Sequence, residues 1–185
     1  MEHTKKSSFW QVASIGLKLL LICAIVAGVV SLVYGLTNDT YYENLEKTKN
    51  EAVGKIFGME NLTREELGDG VSAVFDAEGT LIGFSVETKS GGFGGDVELM
   101  VGYNALGEVV GVRVIAHSET PGLGAKAAED FFLSQYEGQS GEVVLGEDVD
   151  AISGATISSK AVTDGVNAAT ETLKAVLAAK GGALQ

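Results

Sequence analysis

The 185 residues include 13 basic and 25 acidic side chains, a formal net charge of −12, in a length that suits one domain with an appendage. A surface this acidic repels polyanions, so nucleic acid is excluded as a partner. The single cysteine, Cys23, excludes an intramolecular disulfide and any iron–sulfur or zinc site built on cysteine ligands.

An uncharged apolar run from Leu19 to Leu36 dominates the N-terminal part of the chain. About 20 helical residues cross the ~30 Å hydrocarbon core of a bilayer, so a transmembrane helix is predicted for residues 10–36. Lys18 lies near its start, where a lysine extends its ammonium group to the headgroups. A cleaved signal peptide is the alternative, but its apolar region spans ~7–15 residues and ends at a small-x-small site. The run here is longer and no convincing site follows it, so we expect a retained anchor.

The charges around this run predict its orientation. Lys5 and Lys6 precede the run and acidic residues follow it, and the positive-inside rule then assigns residues 1–9 to a cytoplasmic tail. We therefore expect a single-pass protein of the cell membrane with its large domain outside. Aromatic residues suited to the two membrane interfaces are Phe9, Trp10, Tyr34, Tyr41 and Tyr42.

Residues 37–70 are predicted to connect the anchor to the outer domain. Within them, residues 40–57 have the pattern of a stalk helix, and the polar residues 58–70 are predicted to form a loop.

A period of two then predicts two β-hairpins. The first joins Val71–Ala77 to Thr80–Thr88 around Glu78-Gly79, and the second joins Asp96–Tyr103 to Glu108–His117. The hairpins are similar in sequence: FDAEGTLIGFSV aligns with YNALGEVVGVRV. This similarity predicts one antiparallel sheet. Between the hairpins lie four glycines in Ser90–Gly95, either a flexible connection or backbone packed closely against a ligand.

Helices are predicted after the sheet. Gly124–Tyr136 is expected to be helical, with an apolar face formed by Ala127, Ala128, Phe131, Phe132 and Tyr136. Glu142–Leu145 has the pattern of a strand. A terminal helix is indicated by the helical spacing of Val162, Val166, Ala169, Leu173 and Val176/Leu177. The predicted fold class is α+β: an N-terminal transmembrane helix, then an antiparallel sheet of two similar hairpins packed with helices, with residues 71–185 as the extracytoplasmic domain.

The segment Asp150–Lys160 precedes the terminal helix and has the composition of a phosphate site. The first N–H groups of a helix are unpaired and attract anions. Gly154 and Ala155 keep bulk away from them, Ser158 and Ser159 are predicted N-cap residues and phosphate donors, and Lys160 adds a positive charge. An ordinary Ser/Thr-rich helix cap is the alternative.

The segment His117–Gly124 (HSETPGLG) leaves a strand, turns at Pro121-Gly122 and leads into a helix. Glu119 and Thr120 present polar groups beside this turn, at a strand end where ligand loops are common. The chain has two histidines, too few to favour a histidine metal site, so we predict no metal and expect His117 to form hydrogen bonds within the loop.

Together these two segments resemble the FMN-binding domain of respiratory flavoprotein subunits. Asp150, Ser153, Gly154, Ala155 and Thr156 match the pattern Asp-x-x-Ser/Thr-Gly-Ala-Thr that this family's flavin transferase recognises. The resemblance covers about residues 71–176. It implies FMN as cofactor, with its phosphate esterified to Thr156 Oγ. It also implies a loop that faces the flavin and contains Glu119, Thr120, Gly122 and Leu123.

Two subunits have this plan: the G subunit of Rnf-type ferredoxin:NAD⁺ oxidoreductases and the C subunit of the Na⁺-translocating NADH:quinone reductase. The C subunit has more sequence between anchor and sheet than residues 37–70 here, which favours the G subunit. The resemblance implies a relay of electrons inside a complex that moves Na⁺ or H⁺. It also implies other membrane subunits and a flavin transferase as partners, and no complete activity for this chain alone.

No strand–GxGxxG–helix unit indicates a nicotinamide site, and no residue is predicted to be catalytic by itself, because the flavin ring performs the redox chemistry. Two alternatives come from other classes: a pilin-like or adhesin-like anchored structural subunit, and a sensor domain that binds its ligand non-covalently. Neither explains the pairing of the two segments.

Overall fold

The computed structural model describes residues 3–181, and for residues 3–9, 11–12 and 39–42 it describes the backbone alone. The chain divides into two compact units, Met1–Glu46 and Lys47–Gln185; the second is called the sheet unit below. Helix α1 runs from His3 to Phe57, so the predicted membrane and stalk helices are joined without interruption. No proline lies in this stretch to break it.

Among the described residues, α1 is the one helix that is long and apolar enough to cross a membrane. The relevant window lies within Ala13–Phe57, has a mean hydropathy of 2.7 and is exposed along its length. Trp10 and Tyr34 are exposed. The structure does not describe the side chains of the predicted tail, residues 1–9, or those of Tyr41 and Tyr42. The helix fits a single-pass membrane protein.

The sheet unit contains a five-stranded antiparallel sheet in which each strand pairs with the next one in sequence. The predicted α+β class is thereby confirmed. Its strands are β1 (Thr63–Gly68), β2 (Val71–Phe75), β3 (Leu81–Gly91), β4 (Asp96–Tyr103) and β5 (Val109–Ala116).

Strand β1 lies in the segment that the sequence predicted to be a loop, and that prediction is wrong. The strand TREELG is polar, and its residues are exposed or half-buried because it forms an edge of the sheet, so the apolar alternation typical of inner strands is missing. It joins β2 through Asp69 and Gly70, which both have positive φ, 51° and 75°. Asp-Gly is the usual sequence of such a two-residue hairpin turn.

Each face of the sheet is covered by a helix. The larger core lies between one face and helix α3 (Thr156–Ala179), whose predicted apolar residues are buried. On the opposite face the last turns of α1 bury Val53 and Ile56 against Val74 and Met100. This approach is close: a Cβ on Gly102 would collide with Ile56 Cγ2.

The segment between β5 and α3 differs from the prediction of one helix over Gly124–Tyr136. It forms a 3₁₀ turn (Gly124–Ala128), a short helix α2 (Asp130–Leu133) and a second 3₁₀ turn (Ser134–Tyr136). The break occurs at Glu129, whose backbone is extended at φ −86° and ψ 149°. Of the predicted apolar face, Phe131 is 56 % exposed, while Leu133 is buried instead.

The predicted strand Glu142–Leu145 is also wrong. A single bridge between Leu145 and Val149 forms there, and the Val143 backbone instead pairs with the Asn167 side chain through two hydrogen bonds of 2.8 and 2.9 Å.

Candidate cofactor site

The two segments singled out in the sequence meet in one cleft of about 310 Å³, at the lower end of the ~300–1,000 Å³ typical of ligand pockets. The 117–124 segment forms one wall, the start of α3 forms the other, and the glycine-rich loop between β3 and β4 closes one end. The lining residues are Phe93, Glu119, Thr120, Leu123, Gly124, Gly154, Ala155, Thr156, Ile157 and Ser158.

Glu119 holds these three segments together. Its carboxylate accepts a hydrogen bond of 2.5 Å from Ser158 Oγ on α3 and one of 3.0 Å from the Gly94 N–H in the glycine-rich loop. Its own N–H donates to His117 Nδ1 at 3.2 Å, as expected for a hydrogen-bonding role of His117. Glu119 is 6 % exposed, so a carboxylate is buried in the wall of the cleft.

Two opposing effects act on the pKa of Glu119. Burial, the largest single effect, raises it, because a charge is less stable away from water. The hydrogen bonds from Ser158 and from the Gly94 and Phe93 amides, with the nearby His117, together outweigh burial, and the pKa of Glu119 is lowered from its ordinary value. The residue is therefore a carboxylate at neutral pH.

Glycines make room for this arrangement. A Cβ on Gly124 would collide with both Glu119 Oε2 and Ser158 Oγ, and a Cβ on Gly92 would collide with Glu119 Oε1. Gly154, at φ 79°, forms the turn that leads into α3, a conformation that side chains with a Cβ rarely adopt. The glycine-rich loop is thus packed closely against the 117–124 segment of the protein itself.

Helix α3 begins at Thr156, whose side chain is exposed. Its N-cap is Ala155, with no side-chain cap hydrogen bond, so the predicted N-cap role of Ser158 and Ser159 is wrong. Both serines lie inside the first turn and are buried. Ser159 Oγ donates to the Ala155 carbonyl at 3.0 Å and accepts from the Ile152 N–H at 3.0 Å, which ties the preceding turn to the helix.

Four other predicted residues lie outside the lining of the cleft: Asp150, Ser153, Gly122 and Ser159. Asp150 is exposed, and its N–H donates to Gln135 Oε1 at 2.8 Å. The positive charge predicted from Lys160 is paired, because its Nζ contacts the Asp164 carboxylate at 2.6 and 2.7 Å.

Phe93, Gly124 and Ile157 line the cleft but were not proposed individually from the sequence. Phe93 is 70 % exposed, Ile157 55 % and Leu123 46 %. An aromatic residue, Phe93, between two pairs of glycines was the available signal in the sequence.

These features fit FMN. Exposed apolar side chains around the cleft suit a flat aromatic ring. An exposed hydroxyl, that of Thr156, lies in the lining of the cleft at the start of a helix, and the first N–H groups of a helix have no partner within the helix.

Comparison with known proteins agrees with this fit. Residues 92–171 match the family model of the FMN-binding domain, which contains both walls of the cleft. The G subunit of the Na(+)-translocating ferredoxin:NAD(+) oxidoreductase complex of Acetobacterium woodii is 30 % identical, over 85 % of this chain and 90 % of that protein. This chain belongs to the G-subunit family of these complexes. The predicted cofactor, FMN, is confirmed.

Other members of the G-subunit family match over similar lengths. The G subunit of the proton-translocating complex of Clostridium ljungdahlii is 28 % identical, over 83 % of this chain and 86 % of that protein. The G subunit of the ion-translocating oxidoreductase complex of Methanosarcina acetivorans is 29 % identical, over 89 % and 96 %. These relatives are subunits of oxidoreductase complexes, which confirms the predicted enzyme class.

Two solved structures are similar over part of the chain. NqrC of Shewanella oneidensis is 28 % identical, with a TM-score of 0.44 over 52 % of either chain. The C subunit of the Na(+)-translocating NADH-quinone reductase of Parabacteroides distasonis is 23 % identical, with a TM-score of 0.47 over 57 % of this chain and 61 % of that one.

Proposed function

We propose that this G-subunit homologue carries FMN covalently, through a phosphoester on Thr156 Oγ, and relays electrons between other subunits of a membrane complex. The observation that carries this proposal is the position of Thr156. It is exposed, it lines the cleft, and it is the first residue of α3, within the sequence that resembles the flavin transferase pattern.

The other nearby hydroxyls are less suitable for attachment. Ser158 is 2 % exposed and its Oγ already donates to Glu119. Ser159 is completely buried and bonded to the backbone. Ser153 is exposed but does not line the cleft. Thr156 combines access for a modifying enzyme with proximity to the cleft.

The surroundings of Thr156 suit a phosphate group and a flat ring. The first N–H groups of α3 favour a negative charge, and Gly154 and Ala155 place no large side chain beside them. Leu123, Phe93 and Ile157 offer apolar surface for the ring, and Glu119 and Thr120 line the same cleft. We assign Asp150 and Ser153 to the transferase recognition sequence. Ser159 fixes the turn before α3 through its hydrogen bonds with Ile152 and Ala155, and Gly122, at φ 75°, forms the turn of the 117–124 segment. FMN supplies the electron-accepting isoalloxazine ring, and the protein supplies its position.

The names of the relatives motivate the role in a complex. They are subunits of ferredoxin:NAD(+) oxidoreductase complexes that translocate Na(+) or protons. By analogy, this chain passes electrons within an Rnf-type complex and has no complete activity alone. Lysines before the apolar run and acids after it support residues 1–9 in the cytoplasm, residues 10–36 in the membrane, residues 37–70 as a connection and residues 71–185 outside.

Intact mass spectrometry tests the attachment. Full-length protein co-expressed with a flavin transferase of this family should gain the mass of FMN less one water, on a peptide that contains Thr156. Thr156→Val removes the hydroxyl at nearly constant shape and should abolish the gain. Thr120→Val makes the same change at another exposed threonine of the cleft and should retain it.

Two results would contradict the proposal. If Thr156→Val protein keeps its flavin after denaturation, the attachment site is elsewhere. If wild-type protein made with the transferase gains no mass, the covalent flavoprotein assignment fails.

A further inference from the structure

The wall of the cleft contains a buried carboxylate, that of Glu119. The Glu119 carboxylate is held by hydrogen bonds from Ser158 Oγ and the Gly94 N–H. Among the described residues, no lysine or arginine forms an ion pair with it; Lys160, one turn into α3, pairs with Asp164 instead.

Such a group is costly, because a carboxylate loses much of its hydration when it is buried. The fold also reserves space for it at two glycines, Gly92 and Gly124, where a Cβ would collide with its oxygens. The hydrogen bonds from Ser158 Oγ and the Gly94 N–H offset this cost and hold the group as a carboxylate. A fixed negative charge is therefore built into the wall of the cleft, beside the space that a ligand occupies.

We infer that the charge of Glu119 lowers the reduction potential of FMN bound in this cleft, which makes Glu119 the residue that tunes this electron carrier. This inference rests on the proposed function. Glu119 and Thr156 line the same cleft, so a flavin tethered to Thr156 lies in the field of the carboxylate.

The direction of the effect follows from electrostatics. Reduction brings negative charge onto the ring unless protons follow completely, and a fixed negative charge nearby makes this less favourable. Burial strengthens the effect, because a charge in a protein wall is screened much less by water and salt than one at the surface. The helix N-terminus and the hydrogen-bond donors stabilise the carboxylate itself, so it stays charged while the ring changes its redox state.

Glu119→Gln removes the negative charge and keeps the hydrogen bonds that join the segments. Glutamine has the same shape, its oxygen accepts from the Gly94 N–H, and its amide donates to Ser158 Oγ. The matched control is Glu171→Gln on the same helix. Glu171 is exposed, pairs with Lys174, and lies ~22 Å along α3 from Thr156 at 1.5 Å per residue, beyond the ~8 Å screening length of physiological salt.

The experiment is a redox titration of full-length flavinylated protein in detergent, followed by flavin absorbance at pH 7. Dithionite supplies the two electrons and the buffer supplies the protons. Glu119→Gln should raise the midpoint potential, shifting the reduced-to-oxidised ratio at a given potential about tenfold, which is ~30 mV for a two-electron couple. Glu171→Gln should leave the potential unchanged, and the unflavinylated Glu119→Gln protein should still unfold in one cooperative thermal transition, at a somewhat lower temperature than wild type because its hydrogen bonds lose their charged partner.

An unchanged or lowered potential in Glu119→Gln, with flavin present on Thr156, overturns the inference and leaves the proposed function intact. Absence of covalent flavin from the wild-type protein overturns the proposed function instead. If Glu119→Gln alone fails to acquire flavin, Glu119→Asp and Glu119→Asn compare a charged with a neutral side chain that is one methylene shorter. The Asn variant must then have the higher potential, and equal potentials refute the inference.

Discussion

The hydrogen bond between Ser158 and Glu119 should stabilise the sheet unit measurably. Ser158→Ala removes the donor at 2.5 Å and leaves the carboxylate, 6 % exposed, with fewer partners. A hydrogen bond to a charged group contributes about 1.5–3 kcal/mol, so we expect a loss of that size in the free energy of unfolding at pH 7. In a domain of this size the melting temperature falls by roughly 4 °C for each kcal/mol.

Ser159→Ala is the matched control. Ser159 is the next residue, is completely buried, and bonds two neutral backbone groups instead of a charge. Its replacement should cost only about 1 kcal/mol, the usual contribution of a neutral hydrogen bond.

The two variants should also differ in their pH dependence. The folded-state pKa of Glu119 lies below its unfolded value of about 4.5, so its charge stabilises the fold above that pH and this contribution is lost as the pH falls through the folded pKa. The extra cost of Ser158→Ala should therefore shrink on acidification from pH 7 to pH 3, whereas the cost of Ser159→Ala should stay constant.

Urea unfolding of unflavinylated protein in detergent measures both effects, with the near-ultraviolet circular dichroism of the buried Tyr103 and Tyr136 as the signal. Our reasoning is refuted if Ser158→Ala costs no more than Ser159→Ala at pH 7. It is also refuted if the difference between them does not change with pH.

Three further predictions concern other parts of the chain. Gly102→Ala should lower the free energy of unfolding in urea by about 1–3 kcal/mol, because its Cβ would be overpacked against Ile56. Gly111→Ala, whose Cβ would lie 3.6 Å from the same side chain, should be nearly neutral, and equal losses for the two variants would mean that α1 does not pack there. Leu123→Asp should shift the flavin spectrum or potential without abolishing attachment, and an unchanged spectrum and potential would remove this loop from the site. Protease added to intact cells or right-side-out vesicles should digest the sheet unit, and full protection would reverse the predicted topology.

Local patterns in the sequence were sufficient to predict those elements whose own apolar residues decide which side is buried. The uncharged run from Leu19 to Leu36 predicts a membrane helix from length and hydropathy alone. The period of two predicts β4 with its observed bounds, Asp96–Tyr103, because its alternate residues face the core. The helical spacing from Val162 to Val176 predicts α3 for the corresponding reason.

Elements whose structure depends on a distant partner were missed. Strand β1 is the first strand of the sheet formed by the described residues and pairs with β2 alone. Because it is polar, this pairing, and not an apolar pattern of its own, makes it a strand. The helix expected over Gly124–Tyr136 is interrupted at Glu129, since Phe132 and Tyr136 enter the core through two short turns.

The candidate site divides in the same way. Its two segments could be recognised in the sequence, because each is a short run of glycine, proline and hydroxyl residues. The bond that joins the segments was not evident, because Ser158 has the sequence context of a helix cap. The tertiary fold instead brings Glu119, 39 residues earlier in the chain, against the first turn of α3, where its carboxylate takes up the Ser158 hydroxyl. Such a contact depends on how α3 packs across the sheet, and no local period encodes that.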